Sequence, residues 1–222
     1  DFSILAYSAF WENFDKPLLF LDGLTGLGAR ALRIAKEIPN VEKVVANDIN
    51  HEALKIAQNS AGLNQISNFE ISENETCRFF SVHSKKEERG SIVDIDPFGS
   101  PVKYFDCAIR ATMHGGLLSV TATDLQVLHG LAKNACKRKY HGVPIKTEYS
   151  NEIAIRLILG CLDTVAGRLD IQIIPQFVEN DMHYYRLYLK ILNRKEQENQ
   201  QGYIMHCRSC ENRNYNIKQK KT

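Results

Sequence analysis

Three aspartates each close a short apolar run: Asp22 after Leu18 to Leu21, Asp48 after Val44 to Asn47, and Asp96 after Ser91 to Ile95. In a parallel α/β sheet, ligands bind outside the carboxyl ends of the strands, so acids at three strand ends converge on one site. Asp22 opens the turn Gly23-Leu24-Thr25-Gly26-Leu27-Gly28. Its glycines let backbone approach a ligand and leave amides free at the next helix start. The spacing is not the G-x-G-x-x-G of dinucleotide enzymes, which argues against an oxidoreductase. Asp48 is placed to accept from the ribose hydroxyls of a nucleoside cofactor. Asp96-Pro97-Phe98-Gly99 suits methylation of a planar exocyclic amine. Asp96 and the Pro97 carbonyl can accept from the amine and hold its lone pair towards a methyl sulfonium. Phe98 offers a face on which an unstacked base can lie.

The elements that must position these groups alternate along the chain. Strands are expected over Pro17–Leu21, Lys43–Asn47, Phe69–Ser72, Ser91–Ile95 and Leu117–Thr121. Helices are expected from Gly28 to Ile38, from an Asn50 cap through Ala61, from Val102 to Met113, and from Thr147 to Val165. Ile171–Val178 and Tyr184–Leu192 read as an antiparallel hairpin. Strand–helix alternation followed by a hairpin predicts a Rossmann-like α/β fold, its sheet mostly parallel with an antiparallel C-terminal hairpin. Residues 1–194 are expected to form this domain. Residues 195–222 are read as a polar linker, Lys195–Gln201, and the start of a second domain, with a disordered tail over Lys218–Lys221.

Composition limits the classes. With 44% hydrophobic and 24% charged residues, the 222-residue chain reads as globular. A net charge of +2 allows nucleic-acid binding without arguing for it. No apolar run approaches the ~20 residues of a membrane span, and nothing marks an obligate protein partner. Apart from one pair near the C-terminus, the six cysteines are scattered and read as reduced core residues, Cys107, Cys136 and Cys161 among them, which predicts an intracellular protein, nuclear or cytoplasmic.

Gly26-Leu27-Gly28-Ala29-Arg30, Asn47-Asp48, Asp94-Ile95-Asp96-Pro97-Phe98-Gly99-Ser100-Pro101 and Val120-Thr121-Ala122-Thr123-Asp124 together resemble the tRNA (guanine-26-N2)-dimethyltransferase family. Lys139-Tyr140, Glu152 with Arg156, and His183-Tyr184-Tyr185-Arg186 extend the likeness to about residue 210. The resemblance implies a class I methyltransferase that uses S-adenosyl-L-methionine to methylate the 2-amino group of guanosine 26 in tRNA. It implies Asp96 and Pro97 at the catalytic centre, Phe98 stacked on the base, and Asp22, Gly23, Gly26 and Asp48 around the cofactor. Where the family has Asp-Ala against the adenine, this chain has Asn74-Glu75-Thr76, so Glu75 and Thr76 take that place. Asp1-Phe2-Ser3 matches the inside of the family's N-R-D-[LF]-[SA] segment, so the natural N-terminus is expected upstream. An N6-adenine methyltransferase, whose loop carries a second proline, and an RNA-binding homologue without catalysis are the other readings.

Secondary features carry their own alternatives. Lys137, Arg138 and Lys139, with Lys133, Tyr140 and His141, could grip tRNA phosphates or form a solvated helix face. Thr123-Asp124 could border the pocket or cap a helix. Cys207 and Cys210 make half of a tetrahedral zinc site, so no complete metal site is expected within the chain. Tyr184, Tyr185 and Tyr188 are expected to pack the hairpin.

Overall fold

The computed structural model describes residues 2–12, 14, 17–193, 201–207 and 209–217. In chain order the elements are α1 (Phe2–Trp11), β1 (Leu18–Asp22), α2 (Ala29–Glu37), β2 (Val41–Asn47), α3 (His51–Leu63), β3 (Phe69–Ser72), α4 (Thr76–Val82) and β4 (Gly90–Ile95). There follow α5 (Phe105–Ala111), β5 (Thr112–Ala122), α6 (Leu125–Leu128), α7 (Lys133–Tyr140), α8 (Ser150–Gly167), β6 (Gln172–Asn180), β7 (Tyr185–Leu192), β8 (Gly202–His206) and β9 (Arg213–Ile217).

β1 to β7 form one sheet in the order β3-β2-β1-β4-β5-β7-β6. Pairing is parallel from β3 to β5 and antiparallel where β7 joins β5 and β6. The expected mostly parallel sheet with a terminal antiparallel hairpin is therefore present. Successive strand residues point to opposite faces. Phe20, Val44, Ile92 and Leu117 pack on one side with Tyr7 of α1 and Ile34 of α2. Leu21, Val45, Val93 and Leu118 pack on the other with Phe105 of α5 and Ile158 of α8. A sheet covered on both faces explains why its strands read as near-continuous apolar runs.

The helix expected over Val102–Met113 is shorter. A 3₁₀ turn covers Val102–Tyr104 and α5 stops at Ala111. β5 then begins at Thr112, five residues before the expected start at Leu117, and runs through Gly115 and Gly116. Its register with β4 shifts between Gly90–Thr112 and Ile92–Leu117. Gly115 takes φ +80°, and a Cβ at Gly116 would lie 2.9 Å from the Met113 and Ser91 carbonyls, so the bulge needs both glycines.

Cys107, expected as a reduced core thiol, is instead oxidised. Cys77 on α4 and Cys107 on α5 are joined by a disulfide, their Cα atoms 5.4 Å apart. The packing of α4 on α5 brings together residues whose separation of 30 conceals the pair. Cys136 and Cys161 are buried free thiols. β8 and β9 form a separate hairpin that returns to α8 and the turn before it. Tyr149 Oη lies 2.8 Å from His206 Nδ1, and Arg213 pairs with Glu148 at 2.5 Å. Arg194, residues 195–200 of the expected linker, Arg208 and the tail 218–222 lie outside the described residues. Among the described residues, no helix is long and apolar enough to cross a membrane.

Candidate active site

The carboxyl ends of β1, β2 and β3 are tied into one rim. Buried Asn47 donates from its amide to the Gly23 carbonyl at 3.1 Å and the Asn74 carbonyl at 3.0 Å, and accepts from the Asn74 amide at 3.1 Å. Gly23 N–H donates to the Asp94 carbonyl and Thr25 N–H to the Asn47 carbonyl. A Cβ at Gly23 would meet the Phe80 ring at 2.5 Å, so the turn passes where no side chain fits. Gly26 takes φ +54° and faces open space. The half-buried Asp48 carboxylate accepts from Gly26 N–H at 2.8 Å and from Asn50 N–H at 2.9 Å. Each carboxylate oxygen has a second lone pair, so Asp48 can brace the turn and still accept a hydroxyl. Glu75 caps α4 by accepting from Arg78 N–H at 3.0 Å, and Thr76 Oγ1 donates to the Gly23 carbonyl at 3.3 Å. A side-chain-free turn with a carboxylate at the neighbouring strand end fits a nucleoside ligand.

Beneath the rim lies a charge network. Asp22 and Asp94 are register partners on β1 and β4, and both are buried. Arg30, at the start of α2, spans two acids: Nη1 donates to Asp94 Oδ2 and Nη2 to Asp96 Oδ2, each at 2.6 Å. Arg186 is 2% exposed and donates to Asp94 Oδ1 at 2.6 Å, to Tyr7 Oη at 2.8 Å and to Thr121 Oγ1. Its Nη1 lies 3.7 Å from Asp96 Oδ2. Burial would raise the Asp94 carboxyl, but Arg186 and Arg30 outweigh it and hold the group below the usual carboxylate range.

Asp22 goes the other way. Burial first, then the Asp94 charge, push its carboxyl up to about 7. The native chain therefore keeps a proton that the unfolded chain loses nearer 4, and Asp22 reduces stability as pH rises between those values. Asp22→Asn, whose carbonyl can still accept from Leu24 N–H, is expected to raise Tm relative to the parent at about pH 8 and to lose that advantage near pH 4. A Tm difference that did not grow with pH would disprove the buried acid.

Above the network, the loop after β4 turns outward. Pro97 is buried, whereas the Phe98 side chain is fully exposed. Thr123 pins the loop: Gly99 N–H donates to its Oγ1 at 2.6 Å, and its own N–H donates to the Gly99 carbonyl at 3.0 Å. Ser100 Oγ lies 2.9 Å from Tyr140 Oη, which donates to Asp124 Oδ1 at 2.7 Å. Asp124 sits at the start of α6 but makes no side-chain cap, because its carboxylate instead binds Tyr140 and Lys139 of α7. Lys139 is thus half-buried and paired, while Lys137 and Arg138 are exposed. Tyr185 and Tyr188 are buried in the hairpin as expected, and Tyr184 is half-buried.

Beside Asp96, between α1 and the ends of β5 to β7, lies a cleft of about 370 Å³, with Arg30, Asp96, Thr123, Glu179, Tyr184 and Arg186 in its lining. Cys207 and Cys210 are exposed at the hairpin tip. Backbone amides of Cys210 and Ser209 lower the Cys207 thiol. Among the described residues no group of three or more His, Cys, Asp or Glu could hold a metal ion.

The structure brings Asp22, Gly23, Gly26, Asp48, Glu75, Thr76 and Asp96 to one edge of the sheet and sets Phe98 beside them. Sequence reasoning assigned no role to Asn47, Asp94, Arg30 or Arg186. Asp94 and Arg186, each inside a strand of mainly apolar residues, were the available signal, because a buried charge needs a partner.

Comparison with known proteins gives one answer. A tRNA (guanine(26)-N(2))-dimethyltransferase of Methanobrevibacter smithii is 32% identical over 95% of this chain and 54% of its own length. One from Methanococcus maripaludis strain C7 is 38% identical over 85% of this chain and 50% of its own. The chain therefore spans about half the length of these curated relatives. Trm1 of Pyrococcus horikoshii, solved in complex with S-adenosyl-L-methionine, superposes with a TM-score of 0.86 at 27% identity, over 96% of this chain and 61% of that one. The family model for N2,N2-dimethylguanosine tRNA methyltransferase matches residues 1–222, and the chain belongs to that family.

Proposed function

We propose that this chain is the S-adenosyl-L-methionine-dependent catalytic part of a tRNA guanine N2-methyltransferase, which converts guanosine 26 to N2-methyl- and N2,N2-dimethylguanosine. The observation that carries the reading is the Asp96 carboxylate, gripped on one oxygen by Arg30 at the end of β4, with exposed Phe98 beside it. When bound, the cofactor supplies an electrophilic methyl group on a sulfonium. The glycine turn and Asp48 hold its nucleoside part, Glu75 and Thr76 lie on the adenine side, and Asp22 lies under the turn. Asp96 Oδ1 and the Pro97 carbonyl accept from the amine, and Asp96 takes the proton that the alkylated nitrogen sheds. Phe98 stacks on the base, while Lys137 and Arg138 contact tRNA phosphates. A tRNA substrate implies work in the nucleus or cytoplasm. Cys207 and Cys210 provide half of a zinc site.

Calorimetric titration with S-adenosylhomocysteine tests the cofactor assignment. Asp48→Ala is expected to weaken binding by about 10- to 100-fold, through loss of charged hydrogen bonds to the ribose and of the brace on Gly26. Equal affinity in parent and variant would refute the role of Asp48. Transfer of labelled methyl to tRNA, with nucleoside analysis of the product, tests the reaction. Label on adenosine instead of guanosine would refute the base assignment.

A further inference from the structure

The cleft beside Asp96 contains a second carboxylate that the methyl-transfer chemistry leaves unused. Glu179 of β6 is half-buried and lines the cleft with Asp96. It is the register partner of Arg186 on β7, so both side chains rise from the same face. The Arg186 guanidinium in turn lies 3.7 Å from Asp96 Oδ2. Glu179 and Asp96 therefore line a single cleft together with Arg186. Tyr184 O–H donates to Glu179 Oε1 at 2.5 Å, which orients the carboxylate and leaves Oε2 open to accept. This bond with Glu179, ahead of burial, pushes the Tyr184 phenol up to about 12, so it stays a donor.

Two acceptors side by side select a particular base edge. In guanine the 2-amino group neighbours N1–H, so the edge presents donors at adjacent positions. In adenine the amino group neighbours an unprotonated N1, whose lone pair would face a carboxylate. Enzymes that act on an extruded base read it through hydrogen bonds to this edge. We propose that Glu179 is a specificity-determining residue, accepting from N1–H of the guanine whose 2-amino group Asp96 holds. The assignment rests on guanine in tRNA being the substrate.

The test compares the parent chain with Glu179→Gln on two tRNAs, one with guanosine at the target position and one with 2-aminopurine, which keeps the 2-amino group but lacks N1–H. The parent is expected to favour guanosine by about a hundredfold or more in kcat/KM. Glu179→Gln is expected to bring the two within about tenfold, because a carboxamide can donate to the unprotonated N1. Its affinity for S-adenosylhomocysteine is expected to match the parent's, which separates lost recognition from lost folding. Tyr184→Phe keeps the carboxylate and is expected to keep the guanosine preference. An unchanged preference in Glu179→Gln, in a parent that methylates guanosine, overturns this assignment alone. So does a preference lost in Tyr184→Phe but kept in Glu179→Gln. A parent that binds the cofactor product yet methylates neither tRNA overturns the guanine reading, and this assignment with it.

Discussion

Asp96→Ala is expected to lower kcat for tRNA methylation by about 10²- to 10⁴-fold while leaving S-adenosylhomocysteine affinity within about threefold of the parent. The split follows from geometry. The cofactor contacts assigned above come from the glycine turn, Asp48 and the start of α4, none of which depends on the Asp96 side chain. On the proposed mechanism the amine, by contrast, loses its acceptor and its proton sink together. Arg30 would keep its bond to Asp94, so the rim should stay in place. Asp96→Asn is the sharper variant: it retains an acceptor for one amine hydrogen but cannot take up the proton, and should fall between parent and alanine. Single-turnover methylation alongside calorimetry provides both readouts. A variant lacking the carboxylate that methylated at the parental rate would remove Asp96 from the mechanism.

Arg186→Met is expected to cost about 3–5 kcal/mol of unfolding free energy, the scale for removing one member of a buried ion pair. The guanidinium is 2% exposed and donates to Asp94, Tyr7 and Thr121. Deleting it leaves the buried Asp94 carboxylate, itself 0% exposed, with Arg30 as its cationic partner. Asp22, the register partner of Asp94, then adds repulsion above neutral pH. Adding Asp94→Asn to Arg186→Met should recover part of the loss, because the buried carboxylate left with one cation in place of two is removed as well. Urea unfolding of the single and double variants measures this. A loss below about 1 kcal/mol for Arg186→Met would mean that the network does not hold the strands together.

Much of this was legible without coordinates. Strand periodicity, the Asn50 cap and the acidic strand ends are local properties of the chain. A parallel sheet converts strand ends into a shared rim whatever the detailed packing. The place of Asp96-Pro97-Phe98-Gly99 just after β4 was likewise readable, because it follows from the apolar strand before it. The β5 bulge was missed because two glycines in a row serve a turn or a register shift equally well, and only the pairing with β4 chooses.

What the tertiary structure alone decided is who partners whom across the sheet. Asp94 and Arg186 meet only because β7 pairs with β5, which pairs with β4. Asp124 turns from a cap to a brace because α7 returns over the loop. Cys77 reaches Cys107 because α4 packs on α5. Glu179 enters the cleft because the antiparallel hairpin carries it back opposite Arg186. Local patterns set which elements form and which ends carry chemistry. Buried charges and loop anchors, whose free energy depends on distant partners in a low-dielectric interior, are settled only when the strands pair.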